Sequence, residues 1–466
     1  MWKYTILSFL LWGAALSAQT DSTDIKVFVE GLPAGKAKLV AVQGDRTYII
    51  DSTEVDAKGY FNLRRKRALP SGFFYFLLPG QRNFSMLVDQ DQHFTLRCKA
   101  DQIPATMTVD GCLDTELLYE NFRFQTSQEA ETKAVSELFQ KATPGTPEFE
   151  QAKARQDQLV AARKKQLDDT FKKYPNSFYT KFKIAGQNPD PVDFKKPNGD
   201  LDTLRRLLDY RDRFWDGVDF TDTRLLRTPV IGNKLKRYIT ELTPQQPDSI
   251  IRVADPLIRR VMPYPEYFQF FTNWIGLNYE NGKTSVMDGE AVYVHVVKNF
   301  FTPELAFWSN PKEIADLQKH VSEMEASLLG RKGPDVRALD VNGQYKSIYE
   351  MKAPIVVVFM FSPDCEHCQK DAPEIQRIYS KWKDKGVDFY GIALSTTDEE
   401  WKAFVRKNGF TFTNVFDPTN RAVYAKYFVD ITPELYVLNK ERIIVAKNLK
   451  ANQLEEVFDR EMKKLR

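Results

Sequence analysis

Pro354-Ile355-Val356-Val357-Val358-Phe359-Met360-Phe361-Ser362-Pro363-Asp364-Cys365-Glu366-His367-Cys368 is the stretch that decides the fold of the C-terminal part of this chain. The run from Pro354 to Phe361 is continuous, apolar and rich in β-branched residues, as expected of a strand buried on both faces. Ser362-Pro363-Asp364 turns the chain, C-x-x-C follows, and Gln369-Lys370-Asp371-Ala372-Pro373-Glu374-Ile375 leads into an amphipathic helix. A strand, a turn and C-x-x-C at a helix start is the arrangement of a redox-active dithiol. Two intervening residues let one turn of helix bring both sulfurs within disulfide range. The first sulfur then lies near the helix N-terminus, where free N–H groups and the dipole favour a thiolate. Cys365 is therefore the expected nucleophile, and Cys368, deeper in the turn, the expected resolving thiol. His367, protonated or hydrogen-bonded to the sulfur, would lower the Cys365 pKa, and Glu366 would push the other way.

Upstream of this stretch, Arg331-Lys332-Gly333-Pro334 looks like a domain boundary. Beyond it strand and helix alternate, which implies βαβ connections and a partly parallel sheet. Downstream, Val429-Asp430-Ile431-Thr432-Pro433-Glu434-Leu435-Tyr436-Val437-Leu438 reads as a loop and a further strand.

With these segments together, residues 331–466 resemble the thioredoxin-like domain of the TlpA/ResA class of exported thiol–disulfide oxidoreductases. Gly333-Pro334-Asp335 and Leu339-Asp340-Val341-Asn342-Gly343 match the lead-in to that family's sheet, and Pro373 falls where its first long helix is kinked. The resemblance implies a proton-transfer role for Asp371. It implies a cis-proline at Pro433, facing the dithiol, with Thr432 before it and both positioning the substrate chain. Glu434 departs from the pattern, since a small residue usually follows that proline, and this bears on substrate choice. The acid that thioredoxin buries six residues before its first cysteine is replaced by Phe359. Disulfide-bearing protein substrates and a membrane thiol electron donor are the partners the resemblance implies. No cofactor and no metal is expected, because the dithiol itself carries the two electrons.

Ahead of the boundary the pattern changes twice. From residue 24 to 111 short alternating runs such as Lys26-Val27-Phe28-Val29 and Phe73-Phe74-Tyr75-Phe76-Leu77-Leu78 are separated by turn clusters, which suggests a β-sandwich. From 113 to 329 the periodicity is helical, with a hairpin broken at Thr143-Pro144-Gly145-Thr146-Pro147. Phe214-Trp215-Asp216-Gly217-Val218-Asp219-Phe220 and Met287-Asp288-Gly289-Glu290-Ala291-Val292-Tyr293 stand out there and read as aromatic core plus helix caps, with a peptide-binding groove as the alternative. The fold class expected is thus multidomain: an N-terminal β-sandwich, an all-helical middle domain and a C-terminal α/β thioredoxin-like domain.

The first residues set the compartment. Met1-Trp2-Lys3, an apolar run from Tyr4 to Leu16 and the small residues around Ser17-Ala18 read as a signal peptide over residues 1–18, cleaved near residues 17–19. The run is shorter than the roughly 20 residues that span a bilayer, so an exported, soluble periplasmic protein is expected.

Composition narrows the classes. In 466 residues, 66 Lys and Arg balance 63 Asp and Glu, a formal charge of +3, which argues against a dedicated nucleic-acid binder. Four Cys and 4 His are too few for a disulfide-stapled framework or a multi-metal enzyme. One C-x-x-C without a second cluster supplies too few ligands for a closed zinc site. Gln369 after Cys368 excludes covalent haem attachment. Cys98 and Cys112 read either as one structural disulfide or as two buried thiols, with a second redox pair as a further alternative. In function, the reductase direction stands against an oxidase or isomerase direction, and against a non-catalytic envelope binding protein that carries a thioredoxin-like module.

Overall fold

The computed structural model describes residues 22–280, 283–284, 286–420, 426–427, 429 and 432–465. The expected signal peptide lies outside them. The described chain forms two compact units, one running to Leu242 and taking in Pro263–Tyr267, the other made of Thr243–Met262 and the chain from Phe268 onward.

The first unit begins with a β-sandwich. Strands β1 (Thr23–Glu30), β4 (Tyr60–Arg65), β7 (His93–Lys99) and β8 (Thr108–Asp110) form one sheet in the order β4-β1-β7-β8. Strands β2 (Gly35–Gln43), β3 (Arg46–Val55), β5 (Gly72–Leu78) and β6 (Arg82–Val88) form the other, in the order β3-β2-β5-β6. Alternation drives the packing. Ile25, Val27 and Val29 of β1 and Phe74 and Phe76 of β5 all point into one core, while Lys26 and Glu30 stay outside it, as a sheet with one buried face requires. Helices follow from α2 (Leu113–Ser127) through the hairpin of α3 (Glu129–Lys141) and α4 (Pro147–Lys173) to α7 (Pro229–Thr240). Phe214, Trp215, Val218 and Phe220 are all buried, so that segment is aromatic core.

Cys98 and Cys112 are buried free thiols. The register of β7 with β8 sets Thr95 opposite Asp110 and Arg97 opposite Thr108, which runs the two cysteines to opposite ends of the pair. Of the readings the sequence leaves open for this pair, the structure holds the two buried free thiols. Burial also pushes both thiols up to about 12, far from a reactive range.

The second unit carries α8 (Pro247–Val261), α10 (Glu290–Phe300) and α11 (Pro311–Glu325), then a seven-stranded mixed sheet. Its strands are β9 (Arg337–Asp340), β10 (Tyr345–Ser347), β11 (Ile355–Phe361), β12 (Val387–Ala393), β13 (Thr413–Phe416), β14 (Glu434–Leu438) and β15 (Ile444–Lys447), in the order β10-β9-β13-β12-β11-β14-β15. β11 runs parallel to β12 and antiparallel to β14. It is buried along its whole length, which accounts for its unbroken apolar sequence. Val357, Phe359 and Phe361 face a core shared with helix α12 (Glu366–Trp382) and the final helix (Leu454–Lys464). Val356, Val358 and Met360 face a second core with Tyr390, Tyr436 and Leu438. The C-terminal domain is thus a mixed sheet with helices packed on it, as the sequence predicts, and the chain as a whole joins a β-sandwich, a helical middle and this α/β domain.

Candidate functional site

The site forms where β11 ends. Phe361 is the last buried residue of the strand, the chain turns through Ser362–Asp364, and Cys365 becomes the N-cap of α12. Its sulfur accepts the backbone N–H of Cys368 at 3.4 Å, so the side chain does what a capping oxygen does at other helix starts. α12 is anchored beneath by Ala372, Ile375, Ile378 and Trp382, all buried, at the spacing of one helix face. Pro373 lies inside this helix.

The two cysteines sit in different surroundings. Cys365 is half-buried, whereas the Cys368 side chain is fully enclosed. Burial pushes Cys368 up to about 12, and the neighbouring Cys365 sulfur adds to the rise. Partial burial also acts to raise Cys365, but the Cys368 backbone N–H and side chain, the Thr432 side chain and the His367 backbone N–H outweigh it and hold the thiol below its usual value. Both carry free thiols in this structure.

Across from them, the Thr432–Pro433 peptide is cis, and the Cys365 thiol donates to the Thr432 carbonyl at 3.0 Å. The Thr432 side chain acts to lower both thiols. Glu434 follows Pro433 as the first residue of β14, paired with Met360 of β11. It is nearly buried, and its Oε1 lies 2.8 Å from the Tyr436 hydroxyl.

The remaining residues expected at the site fall around this core. The His367 ring is exposed, and what reaches Cys365 from this residue is its backbone N–H. Glu366 is exposed and paired with Lys370 at 2.8 Å, one turn along the helix. Asp371 is half-buried, one turn beyond Cys368. Sequence reasoning expected the backbone donors of the helix start that act on Cys365, but missed that His367 acts through its N–H and not its ring. It also missed the Tyr436 contact behind Glu434 and the buried charges further along, to which only Lys447 at the end of an apolar strand gave a signal.

Residues 329–447 match the AhpC/TSA family. The chain is 24% identical over 148 residues to the thiol-disulfide oxidoreductase ResA of Bacillus thuringiensis, spanning 32% of this chain and 84% of that protein. The C-terminal domain is a thioredoxin-like oxidoreductase domain of the ResA type. Among solved structures, a domain of a possible thiol-disulfide isomerase from Cytophaga hutchinsonii is 31% identical, with a TM-score of 0.28, over 30% of this chain and 95% of that one. A thioredoxin-like protein from Bacteroides caccae is 18% identical, with a TM-score of 0.48, over 59% of this chain and 99% of that one. No helix among the described residues is long and apolar enough to cross a membrane.

Proposed function

We propose that this ResA-type chain is exported to the periplasm and reduces disulfides in other proteins there. The observation that carries the reading is the division between the thiols: Cys365 is accessible and held below the usual thiol range, while Cys368 is enclosed and pushed up to about 12. A nucleophile must be accessible and ionised, and a resolving thiol must stay protonated until it is needed.

The Cys365 thiolate attacks one sulfur of a substrate disulfide. An S–S bond forms between Cys365 and that sulfur, and the other substrate sulfur leaves as a thiolate. Cys368 then gives up its proton and attacks the Cys365 sulfur, which releases the second substrate thiolate and closes a Cys365–Cys368 disulfide. The substrate gains two electrons and, with two protons, ends as two thiols. Asp371, one turn from Cys368, takes the proton that Cys368 releases. Thr432 and Pro433 hold the substrate backbone beside Cys365, with Glu434 behind them, and His367 lies at the exposed rim of the dithiol. A membrane thiol donor returns the two electrons. The reading of residues 1–18 as a signal peptide supports export, and residues 24–329 would choose substrates or dock the chain in the envelope.

The test is a Cys368→Ser chain incubated with a disulfide-bonded protein. It should accumulate a mixed disulfide through Cys365 that mass mapping identifies, and Cys365→Ser should not. Equilibration of the Cys365–Cys368 pair with glutathione then fixes the direction. A potential near or below about −230 mV supports a reductase, and one of about −120 to −180 mV moves the assignment to oxidase or isomerase.

A further inference from the structure

Behind the cis-proline turn, on the face of the sheet away from α12, lies a cluster of charges that the chemistry above does not use. Lys447, the last residue of β15, is 2% exposed, and its Nζ sits 3.0 Å from Glu290 Oε1 and 3.4 Å from Asp288 Oδ1. Asp288 is 3% exposed and Glu290 6%. Asn448 donates to Glu290 at 3.0 Å, and the Leu329 backbone N–H donates to Asp288 Oδ2 at 3.0 Å. Asp288 and Glu290 stand at the start of α10, far upstream in sequence, so the cluster ties the helical segment to the redox sheet.

Three ionisable groups more than nine-tenths buried are a poor choice for stability alone. Apolar side chains of similar volume usually stabilise as well or better, and charges retained in such places serve best to fix one arrangement. The arrangement here leads toward the dithiol. Lys447 is directly opposite Tyr436 in the β14–β15 pairing, and its Nζ lies 5.4 Å from the Tyr436 ring centroid. The Tyr436 hydroxyl is 3.0 Å from the Tyr427 carbonyl and 2.8 Å from Glu434 Oε1. Glu434 adjoins Pro433, and the preceding carbonyl, of Thr432, takes the Cys365 thiol at 3.0 Å. Each step is a contact or a covalent neighbour.

We propose that Lys447, Glu290 and Asp288 are positioning residues for thiol–disulfide exchange: acting through Tyr436 and Glu434, they set the Thr432–Pro433 turn against Cys365. This rests on Cys365 being the exchange nucleophile. It makes the start of α10 part of the redox machinery, although the sequence places it in a different domain. Misplacing such a turn by a fraction of an ångström weakens both the hydrogen bonds at Cys365 and the seating of a substrate backbone.

The full-length chain tests this with Lys447→Met, Glu290→Gln and Tyr436→Phe. Tyr436→Phe removes one hydroxyl and no charge, so it keeps the test alive if Lys447→Met does not fold. Two readouts apply to each folded variant: the pH midpoint of Cys365 alkylation by iodoacetamide, and kcat/KM for reduction of insulin. The midpoint should move by about half a pH unit or more in each, and kcat/KM should fall about tenfold, as for a displaced positioning group. Lys381→Met, which removes a surface partner of Glu455, should change neither. If Glu290→Gln and Tyr436→Phe keep the wild-type midpoint and kcat/KM, the cluster is only structural and the proposal falls. If wild-type Cys365 is alkylated no faster than Cys368 and insulin is not reduced, it is the exchange reading itself that fails.

Discussion

The Cys365 thiol donates to the Thr432 carbonyl at 3.0 Å, a bond available only while the sulfur keeps its proton. On ionisation that carbonyl becomes a repulsive neighbour. The thiolate must then be held by donors, which are the backbone N–H groups of Cys368 and His367 and the Thr432 side chain. One residue of the turn thus offers an acceptor to the thiol and a donor to the thiolate. Thr432→Val deletes the donor and keeps the carbonyl. The midpoint of the pH profile for Cys365 alkylation should lie below 9.0 in the wild type and rise by up to about one pH unit in the variant. An unchanged midpoint would show that the backbone donors suffice.

The enclosed partner gives a second expectation. A thiol pushed up to about 12 exposes only about one part in 100,000 as thiolate at pH 7. In Cys365→Ser, Cys368 should therefore react with iodoacetamide at least about 100-fold more slowly than Cys365 does in the wild type. Mass spectrometry of timed samples measures both rates. Comparable rates would mean that the wall around Cys368 opens readily.

Much of this site was legible in the sequence because its signals are local. An apolar β-branched run, a turn and C-x-x-C lie within one short stretch, and the run is the buried interior strand β11. The contrast between a half-buried Cys365 and an enclosed Cys368 follows from their order at a helix start. The electrostatics were less legible. His367 invites a side-chain role, yet its ring is exposed and its N–H makes the contact, because every residue of a helix's first turn presents an N–H whatever its side chain. The bond between Cys365 and Thr432 joins residues 67 positions apart, and the pairing of Lys447 with Glu290 crosses an expected domain boundary. No periodicity encodes such contacts. They follow from strand order, which places β14 between β11 and β15.

A stability prediction follows from the helical part of the first unit. A Cβ built on Gly232 of α7 would lie 2.6 Å from the backbone C and O of Gly44 and 2.8 Å from the Asp45 nitrogen. These are backbone atoms of the β2–β3 turn, itself held by the Gly44 N–H donating to the Leu226 carbonyl at 2.7 Å. Neither side can yield without moving a helix or a turn, so Gly232→Ala should cost roughly 1–3 kcal/mol. Gly186→Ala, whose Cβ would meet only Val230 Cγ2 at 3.5 Å, should stay within about 0.5 kcal/mol of wild type. Urea denaturation of the two variants decides it, and equal midpoints would contradict the close approach.

Asp114 supplies a pH dependence of definite sign. Burial pushes its carboxyl up from 3.8 to about 6, the Tyr179 N–H and Arg224 work against the rise, and Asp89 and Asp91 add to it. The folded chain therefore holds a proton here between about pH 4 and 6 that the unfolded chain has released. The stability this group contributes is complete below about pH 4 and is lost as the pH rises through about 6. The rise corresponds to roughly 3 kcal/mol at most. Asp114→Asn cannot ionise and keeps an oxygen to accept the Tyr179 N–H, now bonded at 2.8 Å. The variant should match the wild type near pH 4 and exceed it by about 1–3 kcal/mol at pH 7. Asp288, also pushed up to about 6 by burial, acts with the same sign in both proteins and cancels from the difference. A stability difference that stays constant from pH 4 to 7 in urea titrations would mean that Asp114 ionises as freely in the folded chain as in the unfolded one.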